Sequence, residues 1–192
     1  MLLLASSSPY RRHLLERLGI PFDVVSPAID ERALNLEKPR ATSLRLAELK
    51  ARAVSSIRPG DVVIGSDQVA DLDGVALGKP GSAGAALEQL RAMRGHLVVF
   101  YTAVCLFDGA SGQLHIDEVP TRVRLRNFSD GEAARYLQID KPYDCAGSAK
   151  IEALGIALVE SVESTDPTAL IGLPLISVVS MLKHAGVNVL QP

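Results

Sequence analysis

The ionisable residues singled out by position sort into two groups by charge. Arg11, Arg12, Lys50 and Lys79 are cations, suited to a polyanion. Glu31, Asp67 and Asp144 are carboxylates, suited to a hard divalent cation that takes oxygen ligands. Asp67 follows the β-branched run Val62-Val63-Ile64 and the pair Gly65-Ser66. It therefore reads as the product of a buried strand, delivered where open α/β sheets place their ligands. A turn cap is an equally frequent use of such an aspartate. Ser8 and Pro9 are the N-cap and first residue of a helix, which puts Arg11 and Arg12 in its first turn. Cations there oppose the helix dipole, a conflict that an anion at the free N–H groups of Ser8 and its neighbours would resolve. Lys50 falls on the apolar side of its helix with Leu46, Ala47 and Val54, and so either snorkels or reaches into a cleft. Lys79, between Gly78 and Pro80, is held on a stiff loop.

Together the two groups suit a nucleoside triphosphate site. The glycine-rich Walker pattern and the Gly-x-Ser-x-Gly elbow of serine hydrolases are both absent. Cys145 has no base beside it in sequence, which argues against a thiol nucleophile. The net charge of −2 offers no basic field for nucleic acid, and no apolar run is long enough to span a membrane. Met1-Leu2-Leu3-Leu4-Ala5 lacks the charged start of a signal peptide and reads as a first strand, which points to the cytoplasm. The 2 cysteines, Cys105 and Cys145, read as reduced, and the 4 histidines show no metal-binding spacing.

Strand and helix patterns alternate over the 192 residues, predicting one α/β domain over 1–192 with an aliphatic core: 47% of residues are hydrophobic and Trp is absent. Strands are expected at 2–4, 22–25 and 62–64. A hairpin over 69–77 turns at Asp71-Leu72-Asp73-Gly74, and a long pair occupies 97–107 and 114–126. Helices are expected from about Ser43 to Ile57, Ser82 to Met93 and Pro174 to His184. A capping box at Ser129-Asp130-Gly131-Glu132 opens another. A last strand is placed at 155–162, after the loop from Pro142 to Lys150.

The segments Leu4-Ala5-Ser6-Ser7-Ser8-Pro9-Tyr10-Arg11-Arg12, Gly65-Ser66-Asp67-Gln68, Gly78-Lys79-Pro80 and Ile171-Gly172-Leu173-Pro174-Leu175 appear in order and span nearly the whole chain. Jointly they resemble the Maf family of nucleotide pyrophosphatases. The resemblance implies a mixed twisted sheet flanked by helices, like that of inosine triphosphate pyrophosphatases, with two lobes around a cleft. It also implies a divalent cation (Mg²⁺ or Mn²⁺), release of pyrophosphate from a nucleoside triphosphate, and a cytoplasmic location. The family's functional positions fall on Ser8, Arg11, Glu31, Lys50, Asp67 and Lys79, with Asp67 as proton acceptor and Glu31 and Asp67 at the metal. Arg12 is placed with the phosphate-binding cations. A homodimer stays open.

Family members that cleave dTTP and UTP have Arg after Ser-Pro, Thr after the catalytic Asp and Gln in the later glycine loop. This chain has Tyr10, Gln68 and Glu152 there, and its Cys145-Ala146-Gly147-Ser148-Ala149-Lys150-Ile151-Glu152 is similar to the branch acting on 7-methyl-GTP. An aromatic face at Tyr10 suits a positively charged 7-methylguanine, Glu152 could accept from the base edge, and Gln68 could offer a neutral hydrogen bond beside Asp67. Of the other readings, a dTTP/UTP pyrophosphatase lies in the same class. A nucleotide-binding regulator of septum formation lies in another, and the full set of charged residues argues against it. As like charges in an empty site, Lys50 and Lys79 are each expected to be replaceable by Ala with nucleotide-free stability level or higher.

Overall fold

The computed structural model describes residues 1–191. Its frame is a seven-stranded mixed sheet in the order β2-β1-β3-β5-β6-β7, with β4 added on β3. Strand β1 (Leu2–Ala5) runs parallel to β2 (Asp23–Val25) on one side and β3 (Val62–Leu72) on the other. β3 pairs antiparallel with β5 (Leu97–Asp108) from Val62↔Asp108 to Asp71↔Val99. β5 pairs with β6 (Leu114–Leu125), and β6 with the short β7 (Val159–Glu163). The apolar alternation of these segments explains the layers. Leu3 and Val63 turn to one face, where Ala47, Ala51 and Val54 of helix α2 (Pro39–Ile57) cover them. Leu4 and Ile64 turn to the other, beneath helices α1 (Pro9–Glu16) and α5 (Leu175–His184). A further cluster lies under α3 (Ala83–Met93) and α4 (Asp130–Asp140), around Val98, Phe100 and Val123.

Most expected elements are found within a few residues, and three differ. Helix α2 begins at Pro39 rather than Ser43, since proline is at home in a first helical turn. The segment 155–162 is divided: Leu154–Leu158 is a 3₁₀ helix and only Val159–Glu163 is strand. The third difference matters most for function. β3 does not end before Asp67. It continues for 11 residues to Leu72, then turns through Asp73 (φ 52°) and Gly74 (φ 87°) into β4 (Val75–Leu77).

Asp67 is therefore a mid-strand residue, and it is β1, not β3, that stops there. On one edge of β3 the pairing with β1 ends at Ala5↔Gly65, and the pairing with β4 begins only at Ala70↔Leu77. Between them Ser66 to Val69 face no strand on that edge, while β5 continues unbroken on the other. The gap is the floor of a cleft. Its walls are the turn from β1 into α1 and the loop Gly78-Lys79-Pro80 that leaves β4.

Candidate active site

Strand parity assigns the side chains of β3 to opposite faces. Gly65 and Asp67 face α2, and Ser66 and Gln68 face the turn before α5. A Cβ on Gly65 would lie 2.3 Å from the Ala47 carbonyl oxygen and 2.6 Å from the Ala51 nitrogen. The missing side chain lets the α2 backbone settle on β3, and this brings Lys50 onto Asp67. Lys50 is 4% exposed, and its Nζ donates to Asp67 Oδ1 at 2.7 Å. The same ammonium lies 3.0 Å from Oε1 of Glu31, which reaches in from the loop between β2 and α2. That loop is pinned by Arg45, whose guanidinium holds Glu37 at 2.6 Å and the Arg32 carbonyl at 3.1 Å. Burial pushes the Asp67 carboxyl above its ordinary range, and the charges of Lys50 and Arg11 pull it back.

On the other face Ser66 Oγ donates to the carbonyls of Ala103 (2.8 Å) and Gly172 (3.0 Å). Ser8 caps α1 as expected, accepting from the Arg11 N–H, and Arg11 Nε donates to the same Gly172 carbonyl at 2.8 Å. The motif Ile171-Gly172-Leu173-Pro174 thus orients an arginine. Gly172 has φ 123°, a backbone conformation that L side chains rarely adopt, while a Cβ there would only touch the Arg11 side chain at 3.6 Å. Buried Asp166 fixes this turn by accepting from Thr168 N (2.8 Å), Thr168 Oγ1 (2.7 Å) and Ile176 N (2.7 Å). The sequence reading gave Asp166 no role. Its one local signal is the Asp-x-Thr spacing of a side chain folding back on its own turn.

The cleft has a volume of about 550 Å³ and a mixed polar and apolar wall, within the usual range for small-molecule sites. Its lining includes Ser8, Arg11, Glu31, Lys50, Asp67 and Lys79, and also Tyr10, Asp144, Cys145, Ala146 and Ala149. Lys79 is exposed, on the rim. The loop of Asp144 is stitched to that of Lys79 by Gly81 N to Tyr143 O (3.0 Å) and Gly147 N to Gly78 O (3.3 Å). The Tyr10 hydroxyl lies 3.5 Å from Asp144 Oδ1, and the Lys150 ammonium sits over its ring, 5.8 Å from the centre. Burial first, then Cys145, Asp144 and Glu152, hold the Tyr10 hydroxyl protonated well above its ordinary range. Burial and Asp144 push the Cys145 thiol up to about 12, so it is a neutral group and no nucleophile.

Several expected site residues are not brought together. Arg12 points away from the cleft into an exposed pair with Glu16 at 2.9 Å, one helical turn on. Gln68 lines the cleft floor, but its amide nitrogen is taken by Thr102 Oγ1 (2.9 Å) and the carbonyls of Ala169 and Leu170 (3.0 Å each). Because it alternates with Asp67, its amide ties down the Gly172 turn on the opposite face. Glu152 is exposed and does not line the cleft. The expectation that Lys50 suffers like-charge repulsion also fails, because two carboxylates surround it.

A sequence model described as "Maf-like protein" matches residues 1–185. The chain belongs to the Maf-like family. It is 57% identical, over 96% of its length and 93% of the relative's, to a protein of Cupriavidus metallidurans named 7-methyl-GTP pyrophosphatase. Relatives of the same name in Burkholderia thailandensis (57%; 96% of this chain, 87% of the relative) and Ralstonia nicotianae (56%; 95% and 94%) are as similar. Among solved structures, a HAM1 protein from Coxiella burnetii superposes with TM-score 0.52 at 12% identity, covering 95% of this chain and 98% of that one. That likeness shows the shared fold expected for a Maf-like chain. No helix among the described residues is long and apolar enough to cross a membrane.

A divalent cation must be judged on the donor set. Among the described residues no group of three or more His, Cys, Asp or Glu converges. Two carboxylates do, Glu31 and Asp67, and both already hold the ammonium of Lys50. A pair of carboxylates fits Mg²⁺ or Mn²⁺, which are commonly held by one or two such groups with water and substrate phosphates completing the shell.

Proposed function

We propose that this Maf-like protein hydrolyses 7-methyl-GTP to 7-methyl-GMP and pyrophosphate in the cytoplasm. The observation that carries the reading is the buried Lys50–Asp67 contact in a cleft that is also lined by an aromatic ring, Tyr10, and a carboxylate, Asp144. The names of the relatives, at 55–57% identity, support the same substrate. The triphosphate lies against the first turn of α1, where Ser8 and free backbone N–H groups face it and Arg11 is aimed by the Gly172 carbonyl. Lys79 approaches from the opposite rim. The three cations Arg11, Lys50 and Lys79 offset the charge that grows on the leaving pyrophosphate.

Asp67 Oδ1 is taken by Lys50, which leaves Oδ2 to accept a proton from the water that attacks the α-phosphorus. Its raised proton affinity makes it a better base than a solvated carboxylate. Glu31 and Asp67 would hold a divalent cation, which when bound would polarise the phosphates and balance their charge. Tyr10 offers a stacking face to the methylated base. Free nucleotides, not polymers, are the substrates.

The test is pyrophosphate release from 7-methyl-GTP, GTP, dTTP and UTP, with Mg²⁺, with Mn²⁺ and with a chelator. Preference for 7-methyl-GTP and loss of turnover in the chelator are expected. A preference for dTTP or UTP would overturn the substrate, and no release from any nucleotide would overturn the chemistry.

A further inference from the structure

Glu152 is the carboxylate that the sequence pattern offers to the base, yet it stands outside the cleft wall. Asp144 is the carboxylate that lines the cleft beside Tyr10. It is exposed, makes no ion pair within 4.0 Å among the described residues, and its polar contacts there are long: the Tyr10 hydroxyl at 3.5 Å and the Cys145 thiol at 3.6 Å. The nearby ammonium of Lys150 is engaged with the Tyr10 ring instead. The backbone around Asp144 is well fixed: Cys145 N donates to the Pro142 carbonyl at 3.3 Å, and the two bonds to the Gly78 and Gly81 segment hold the loop across the cleft from α1. An unpaired carboxylate on a fixed backbone thus stands beside an aromatic ring in the cleft wall.

We infer that Asp144 is a specificity-determining residue that selects a purine carrying a positive charge, by pairing with that charge and accepting from the base edge while the base stacks on Tyr10. The inference rests on the proposed reaction and deepens it. N7-methylation puts a full positive charge on the guanine ring without changing its shape elsewhere. An aromatic face discriminates such a cation modestly, whereas a carboxylate beside it adds a charge–charge contribution that the unmethylated base cannot use. Cys145, held neutral, and Ala146 and Ala149 add no charge to the wall, and the one cation beside it among the described residues is the Lys150 ammonium over the Tyr10 ring, whose place the charged base would take. The charge that makes Glu152 suitable then acts from outside, as part of the field around Tyr10.

The experiment compares the wild type with Asp144→Asn and Glu152→Gln, measuring kcat/KM on 7-methyl-GTP and on GTP. Asp144→Asn keeps the shape and removes the charge. Its expected effect is a fall of 10- to 100-fold in the ratio of 7-methyl-GTP to GTP, mostly through KM, with a smaller loss on GTP, which presents the same base edge without the charge. Glu152→Gln should move the ratio by less than about threefold. The ratio is insensitive to a general loss of folded protein, and binding of 7-methyl-GMP against GMP by calorimetry supplies a second readout without turnover. An unchanged ratio in Asp144→Asn, or a larger fall in Glu152→Gln, would overturn the inference and leave the proposed reaction standing. A wild type without preference for 7-methyl-GTP over GTP would instead overturn the reading on which it rests.

Discussion

Asp67 and Lys50 form a buried pair whose properties follow from burial more than from either group alone. Folding raises the Asp67 pKa, so the folded protein binds that proton more tightly than the unfolded chain. Stability linked to this group is therefore full below the unfolded carboxylate value, about 3.9, and falls as pH rises toward the folded one. Asp67→Asn should remove this slope from the melting temperature of nucleotide-free protein between about pH 4 and the raised value, as calorimetry at several pH values would show. It should also lower turnover by about 10²–10⁴-fold in a folded protein. A pH-independent difference in melting, or retained turnover, would sink the assignment. The two lysines should separate. Lys50→Ala leaves Asp67 buried without its cation, a loss of about 3–5 kcal/mol. Lys79→Ala, on the exposed rim, should change stability by less than about 0.5 kcal/mol while lowering kcat/KM by about tenfold. Thermal melts with steady-state kinetics check both, and equal melting of the two variants would contradict the geometry.

At the scale of elements, catalysis depends on how closely α2 lies on β3. Gly65 sets that distance, since the space a methyl would need is already filled by the backbone at Ala47 and Ala51. Gly65→Ala should push the helix outward, destabilise the protein by about 1–3 kcal/mol, and lower kcat beyond what the loss of folded protein explains, because Lys50 and Asp67 separate. A folded Gly65→Ala protein with wild-type kcat would show that their spacing tolerates movement of the helix. The turn before α5 has the matching role on the other face. Its Gly172 carbonyl joins Ser66 to Arg11, and Gln68 and Asp166 hold the turn in place.

Across the whole molecule the site exists because a sheet is interrupted on one edge of one strand. β1 ends opposite Gly65 and β4 begins opposite Ala70, and both faces of β3 become accessible through the opening. Lys50 enters from the α2 layer and Arg11 from the α1 layer, so residues on opposite sides of a sheet meet at one substrate. A continuous sheet would have kept them apart.

The sequence by itself determined the local pieces. The Ser8-Pro9 cap, the capping box at Ser129 and Glu132, the long pair expected at 97–107 and 114–126 and found within a residue of it, and the apolar setting of Lys50 all follow from propensity, capping and periodicity, which act over a few residues. It also supplied the family, through motifs whose order is itself sequence information. Where β3 ends was not legible, because Asp67 reads alike at a strand terminus and in mid-strand. Only the pairing of β1 and β4 reveals the gap. Where the side chains of Arg12 and Gln68 point was not legible for a related reason. Neighbouring residues in a helix or strand point in different directions, so adjacency to Arg11 or Asp67 in the chain does not mean sharing their side. Asp144 and Glu152 are alike as sequence, two acids in one loop region, and the tertiary structure alone put the first in the cleft wall and left the second outside it.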